Sequence, residues 1–242
     1  NSDSSIFHKY LNKIILNTGL WSAIICLSSF IVWIISFVGI AVQSPIFYWT
    51  TIEDYIVYVN SNNQLFQYLA KSFMIIFCLA YMVLVIIFSE FVNSDRIILA
   101  KIGIVFAFMF ALVSSIHYFA QITSVRFALD KNEYAGLAHF LQSNPTSFLS
   151  SVNMLGWTLF LALSSLFIYL GLKTTPATKG IRLGLLTATV SCFLGGIGYL
   201  SQIDLITFIS INLGIGFSFF ILTISSIRFI NAQKRNLTPI AE

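Results

Sequence analysis

In the stretch SSIHYFAQITSVRF, residues 114–127, His117 and Gln121 stand four residues apart at the end of a long apolar run. An imidazole takes or gives a proton near neutral pH, and a carboxamide orients polar atoms by donating and accepting at once. At about 3.6 residues per turn the two share a helical stripe with Ser124, continued by Phe110, Phe106 and Gly103. Arg126 falls on nearly the opposite face, where its long stem reaches toward head groups as an interface anchor. Other runs supply further chemistry at the same depth. Gln64, Gln67 and Lys71 share one helical face, and Lys71 is suited to hold an anionic head group. Asn153 lies on a stripe with Thr146, Ser150 and Trp157. Gln202 and Asp204 close one run and open the next, and Asn212 follows two turns later.

The elements that must position these residues are membrane spans. The chain has 242 residues, 57% hydrophobic and only 9% charged, with mean hydropathy +0.88. Soluble domains carry about a quarter charged residues. Six apolar runs, about 18–43, 66–89, 98–125, 147–172, 180–201 and 205–230, are each long enough to cross a hydrocarbon layer of roughly 30 Å as a helix. The period-2 alternation of a transmembrane barrel is absent. The expected fold is an all-α polytopic bundle forming one integral membrane domain over 1–242. Short connections after the second, fourth and fifth spans make neighbouring helices antiparallel. Residues 1–15 are polar and the first apolar run is too long for a signal core, so no cleavable signal is expected.

The net charge of +4 does not read as a nucleic-acid footprint, because the basic residues are dispersed at the ends of apolar runs. They report topology instead. With a cytoplasmic N-terminus, ten of the 13 Lys and Arg residues lie inside: Lys9, Lys13, Arg96, Lys101, Lys173, Lys179, Arg182, Arg228, Lys234 and Arg235. Lys71, Arg126 and Lys131 lie outside, with Glu53, Asp54, Asp130, Glu133 and Asp204. Both termini are expected in the cytoplasm and the chain in a plasma membrane.

Both longer external connections read as short amphipathic helices. In TTIEDYIVYVN, Thr50 and Glu53 fit a capping box, and Ile52, Tyr55, Ile56 and Val59 recur at helical spacing. Phe47, Tyr48 and Trp49 precede them as an interfacial aromatic group. In DKNEYAGLAHFLQSNP, Asp130 and Glu133 cap, Tyr134, Leu137 and Leu141 form an apolar edge, and Asn144 and Pro145 suit the start of the fourth span. These segments are expected to form two lids over the bundle.

In the fifth span Gly180, Gly184, Ala188, Ser191 and Gly195 carry the small-residue spacing that lets helices approach closely in lipid. The stripe serves packing within the chain or a homodimer contact. Cys26, Cys78 and Cys192 lie inside apolar runs and read as buried hydrophobes. His8, His117 and His139 stand too far apart for a metal motif; HExxH, CxxC, GxSxG and P-loop patterns are absent, and neither a metal nor another cofactor is implied. Span six has no lysine for a retinal Schiff base, and no inverted repeat of broken helices is evident.

The layout resembles that of six-helix bacterial membrane proteins grouped by a domain of unknown function. The shared features are the Asp-Tyr-containing external segment IEDYIVYVNSNNQ and the late span LGWTLFLALSSLFIYLGL. That resemblance implies a bacterial plasma-membrane setting and carries no functional residue with it.

Polar groups in hydrocarbon are costly, and ionisable ones point to function. Their clustering at one depth beneath two lids suggests a cavity open toward the outer leaflet; a buried polar network setting helix register is the alternative. The function expected is binding, with or without modification, of a membrane lipid or other small amphiphile. A transporter or channel subunit and a non-catalytic partner in a larger membrane complex remain open. His117 and Asp204 are the candidate catalytic pair, and Lys71, Gln67, Gln121, Asn153 and Trp157 the candidate ligand-binding set. Desolvation disfavours a charged lysine, so Asp204, the one acid near a span end outside the lids, is the expected counter-charge of Lys71.

Overall fold

A computed structural model describes residues 2–43, 51–142 and 146–237, with side chains described only between 12 and 236. Among these residues no strand occurs, and six helices are long and apolar enough to cross a membrane: Asn12–Gln43, Leu65–Ser89, Ser94–Asp130, Phe148–Gly171, Pro176–Leu200 and Asp204–Asn236. The chain is an integral membrane protein of the all-α class. In hydrocarbon every backbone N–H and C=O must be satisfied within its own segment, which leaves the helix as the form these runs take.

Helix α1 runs unbroken over Ser2–Gln43. The amphipathic helix α2 (Ile52–Ser61) crosses one end of the bundle, the lid end. Helices α3 (Leu65–Ser89) and α4 (Ile97–Ala120) form spans two and three, and α4 continues through a π-helical turn at Gln121–Val125 into α5 (Arg126–Asp130). Span four is α6 (Phe148–Leu155), a π turn at Gly156–Phe160, and α7 (Leu161–Gly171). Span five is α8 (Lys179–Leu200). Span six is α9 (Asp204–Phe208), a π turn at Ile209–Gly214, and α10 (Ile215–Leu237).

Each span packs on its sequence neighbours, and α1 also packs on α10, so the six spans close into a ring. Inside it lies an aromatic cluster. Tyr81 sits edge-on to Phe110 and Phe219 at 5.8 and 5.3 Å, Phe77 meets Phe219 at 4.8 Å, and Trp157 meets Phe110 at 5.0 Å. The Tyr81 hydroxyl is satisfied by Ser164 Oγ at 3.2 Å and Ser165 Oγ at 3.1 Å. Outward-facing residues such as Ile34, Ile35, Val105, Phe108, Leu194 and Phe217 are exposed, which presents lipid with an apolar girdle. All three cysteines are free and buried.

Lipid tails are as apolar as leucine, so helices associate through close packing. Span five shows how. A Cβ on Gly184 would stand 2.8 Å from the Leu222 backbone, and one on Gly214 2.6 Å from Ser191 Oγ. The small-residue stripe therefore seats span six within the same chain. At the end opposite the lid, guanidinium groups close helix C-termini: Arg96 donates to the Leu170 carbonyl at 2.9 Å, and Arg182 to those of Tyr169 and Leu172 at 2.6 and 2.9 Å.

The lid differs in detail from the sequence expectation. The capping box at α2 is Thr51 with Asp54, one residue later than the Thr50/Glu53 pair; each side chain meets the other's backbone N–H at 3.2 Å. Thr50, the Phe47–Trp49 aromatic group, Asn144 and Pro145 lie outside the described residues. Among its described residues the second connection is not an α-helix: the third span already runs to Asp130, and a 3₁₀ turn at Leu137–His139 follows, entered through Gly136 at φ 72. Ser147 caps α6, accepting from the Ser150 N–H at 3.3 Å. Ile52 and Tyr55 of α2 pack against Val125, Leu137 and Leu141, so the two connections share one small apolar core.

Candidate functional site

Beneath this lid lies a cavity of about 410 Å³, bounded by spans one, two, three, four and six and roofed by Tyr55 and Tyr58 of α2 and by Gln142. A drug-sized ligand site falls in the range of about 300–1,000 Å³. The wall has two characters. Toward the lid it carries Gln64, Gln67, Lys71, Asn153, Asp204 and Asn212; deeper, it consists of Met74, Phe77, Trp157, Ile215 and Phe219. The central aromatic cluster is its floor.

Lys71 projects from α3 with 9% of its surface exposed, and its ammonium has no hydrogen bond or ion pair among the described residues. Asp204 lines the same cavity from the first turn of α9 and is itself exposed. The counter-charge expected from the sequence is not made: the ion pair found among the described residues is Arg96 with Asp95. Gln67, Asn153 and Trp157 stand on the cavity wall with Lys71. Trp157 Nε1 donates to the Tyr118 hydroxyl at 3.1 Å. Asn153 Oδ1 and Gln142 Oε1 are buried atoms without a hydrogen-bond partner among the described residues. Both residues line the cavity, whereas the other buried side-chain atoms left unpaired among the described residues belong to Ser36, Ser114, Ser115, His117 and Gln121, away from its wall.

His117 and Gln121 face the bundle interior, 0% and 1% exposed, but neither lines the cavity. His117 Nδ1 lies 3.1 Å from the Leu149 carbonyl, an acceptor, so Nδ1 carries the hydrogen and Nε2 is left as a buried acceptor without a partner among the described residues. The ring is within electrostatic reach of Lys71. Gln121 Nε2 donates to the Phe140 carbonyl and ties the second connection to span three. Ser124, expected on their stripe, is exposed, and Val125 takes the inward position with 2% exposure. The π turn at Gln121–Val125 is the cause, because an added residue per turn shifts every later side chain round the helix. Arg126 is exposed, with its guanidinium 5.9 Å from the Tyr68 ring and 5.0 Å from the Phe127 ring.

Two contributors escaped the sequence reading. One is the ladder Phe30, Trp33 and Phe37 of span one, stacked at 5.7 and 5.5 Å, which lines the cavity opposite Phe208. Its signal was present as aromatic residues three and four apart on one helical face. The other is the tyrosine set Tyr55, Tyr58 and Tyr118. Burial pushes the Tyr55 hydroxyl above its ordinary range, which keeps it a neutral donor in the roof. The π turns of spans four and six place Trp157, Ile211 and Asn212 on the wall. Such turns recur at functional sites because they re-aim side chains without ending the helix. No group of three or more His, Cys, Asp or Glu residues that could hold a metal ion occurs among the described residues. Compared with family models, curated proteins and solved structures, the chain matches none.

Proposed function

We propose that this integral membrane protein binds a lipid or similar amphiphile, with the polar head under the lid and an apolar portion against the aromatic ladder and floor. The observation that carries this reading is Lys71: a cation nine-tenths buried, without a partner among the described residues, on the wall of a cavity of ligand size. A buried charge needs compensation, and an anionic group on the ligand supplies it. Gln67 and Asn153 orient the polar atoms of that head, and Trp157 forms the boundary with the apolar floor. His117 and Gln121 act as positioning residues behind the wall, one holding the start of span four and the other the second connection. The aromatic floor below the cavity favours a binding site over a conducting path.

The excess of Lys and Arg at the opposite end supports a reading with the lid end outside and both termini in the cytoplasm, in which the cavity serves the outer leaflet of a plasma membrane. The test is native mass spectrometry of the protein released from membranes in mild detergent. Retained lipid adducts are expected in the wild type and largely lost in Lys71→Met. Equal adducts in the two proteins overturn the reading.

A further inference from the structure

The cavity presents two opposite charges that do not neutralise each other. Lys71 is deep and Asp204 stands at the rim, yet no ion pair joins them, and neither has another charged partner among the described residues. Among the described residues no other Lys, Arg, Asp or Glu lines the cavity; the remaining polar wall is carboxamide, phenol, indole and hydroxyl. A purely anionic ligand leaves Asp204 as an unmatched like charge at its entrance, and a purely cationic one meets Lys71. A ligand carrying both signs meets each in turn. The rim beside Asp204 also suits an ammonium: Phe37 and Phe208 lie 6.3 Å apart on that side, and aromatic faces attract cations.

From this we infer that the ligand head is zwitterionic, with its phosphate or carboxylate on Lys71 and its ammonium at Asp204. Asp204 is then a specificity determinant and not a structural counter-charge. The inference rests on the amphiphile-binding reading above and adds the chemical class of the head. The same head chemistry is found on a membrane lipid and on a small soluble zwitterion; the apolar ladder and floor favour the lipid.

The experiment compares binding of three probes to the full chain in detergent. They are phosphatidylethanolamine, phosphatidylglycerol with the same acyl chains, and soluble phosphoethanolamine. The wild type is expected to prefer the ethanolamine lipid about fivefold, the scale of a single half-exposed ion pair. Asp204→Asn removes that preference while leaving the glycerol lipid bound at least as tightly, and Asp204→Glu restores it. Lys71→Met weakens both lipids. Equal or tighter binding of the glycerol lipid by the wild type overturns the zwitterion inference and leaves the amphiphile reading intact. So does an equal loss of both lipids in a folded Asp204→Asn protein. Should phosphoethanolamine bind as tightly as its lipid, the apolar floor is unused; the amphiphile reading then falls while head recognition stands. If neither lipid binds the wild type more tightly than Lys71→Met, both fail.

Discussion

The indole Nε1 of Trp157 donates to the hydroxyl of Tyr118 at 3.1 Å, joining the π turn of span four to span three at the boundary between the polar wall and the aromatic floor. Trp157 is 8% exposed and touches Phe77 and Phe110. Trp157→Phe keeps most of this packing and deprives the buried Tyr118 hydroxyl of its donor, at a cost of about 1 kcal/mol. Trp157→Ala opens the floor as well and costs about 3–5 kcal/mol. Thermal unfolding in detergent should rank wild type above Trp157→Phe and both well above Trp157→Ala.

Lys71 and Asp204 should respond to substitution in different ways. Lys71→Met removes a buried cation that has no partner and should stabilise the unliganded protein by about 1–2 kcal/mol, the trade expected of a residue kept for function. Asp204→Asn changes an exposed, unpaired group and should shift stability by no more than about 0.5 kcal/mol. A large loss in Asp204→Asn that is relieved by adding Lys71→Met would restore the ion pair expected from the sequence.

Glycines predict a contrast within one chain. Gly184→Ala drives a methyl group into the Leu222 backbone, which cannot yield without separating spans five and six. The melting temperature should fall sharply, by the equivalent of about 1–3 kcal/mol. Gly136→Ala meets nothing within 4 Å and only strains a φ of +72, so its cost should stay near 1 kcal/mol.

The cap on α2 should act locally. Thr51→Ala removes the acceptor for the Asp54 N–H and weakens α2 by about 0.5–2 kcal/mol. No residue of α2 is fully buried. Hydrogen exchange over residues 52–61 should therefore quicken while global unfolding barely moves; protection unchanged across α2 would count against the cap.

Orientation is open to a direct check. Reporters inserted at 54 and 133 should be active only outside the membrane, and one at 176 only inside. Outside activity at 176 would reverse the assignment and move the cavity to the inner leaflet.

The fold class was legible because hydrocarbon admits few solutions. Runs of this length and hydropathy must be helices, and the six boundaries lie within a few residues of the observed spans except at the first, third and sixth, whose helices run on. The residues of the polar set were legible by type and depth for the same reason, since each polar group in an apolar run stands out. Their grouping was not. Lys71, Gln67, Asn153, Trp157 and Asp204 meet at one cavity while His117 and Gln121 lie behind it, and the spans that carry them are locally rewound by three π turns at 121–125, 156–160 and 209–214, one of which holds Trp157. A π turn leaves little local signature, because it is selected by how a span packs against its neighbours, and one extra residue is enough to turn Ser124 outward and Val125 inward. Whether Lys71 and Asp204 pair was likewise decided by tertiary structure: a sequence states that two charges exist at similar depth, and only the packing of spans two and six sets the distance between them.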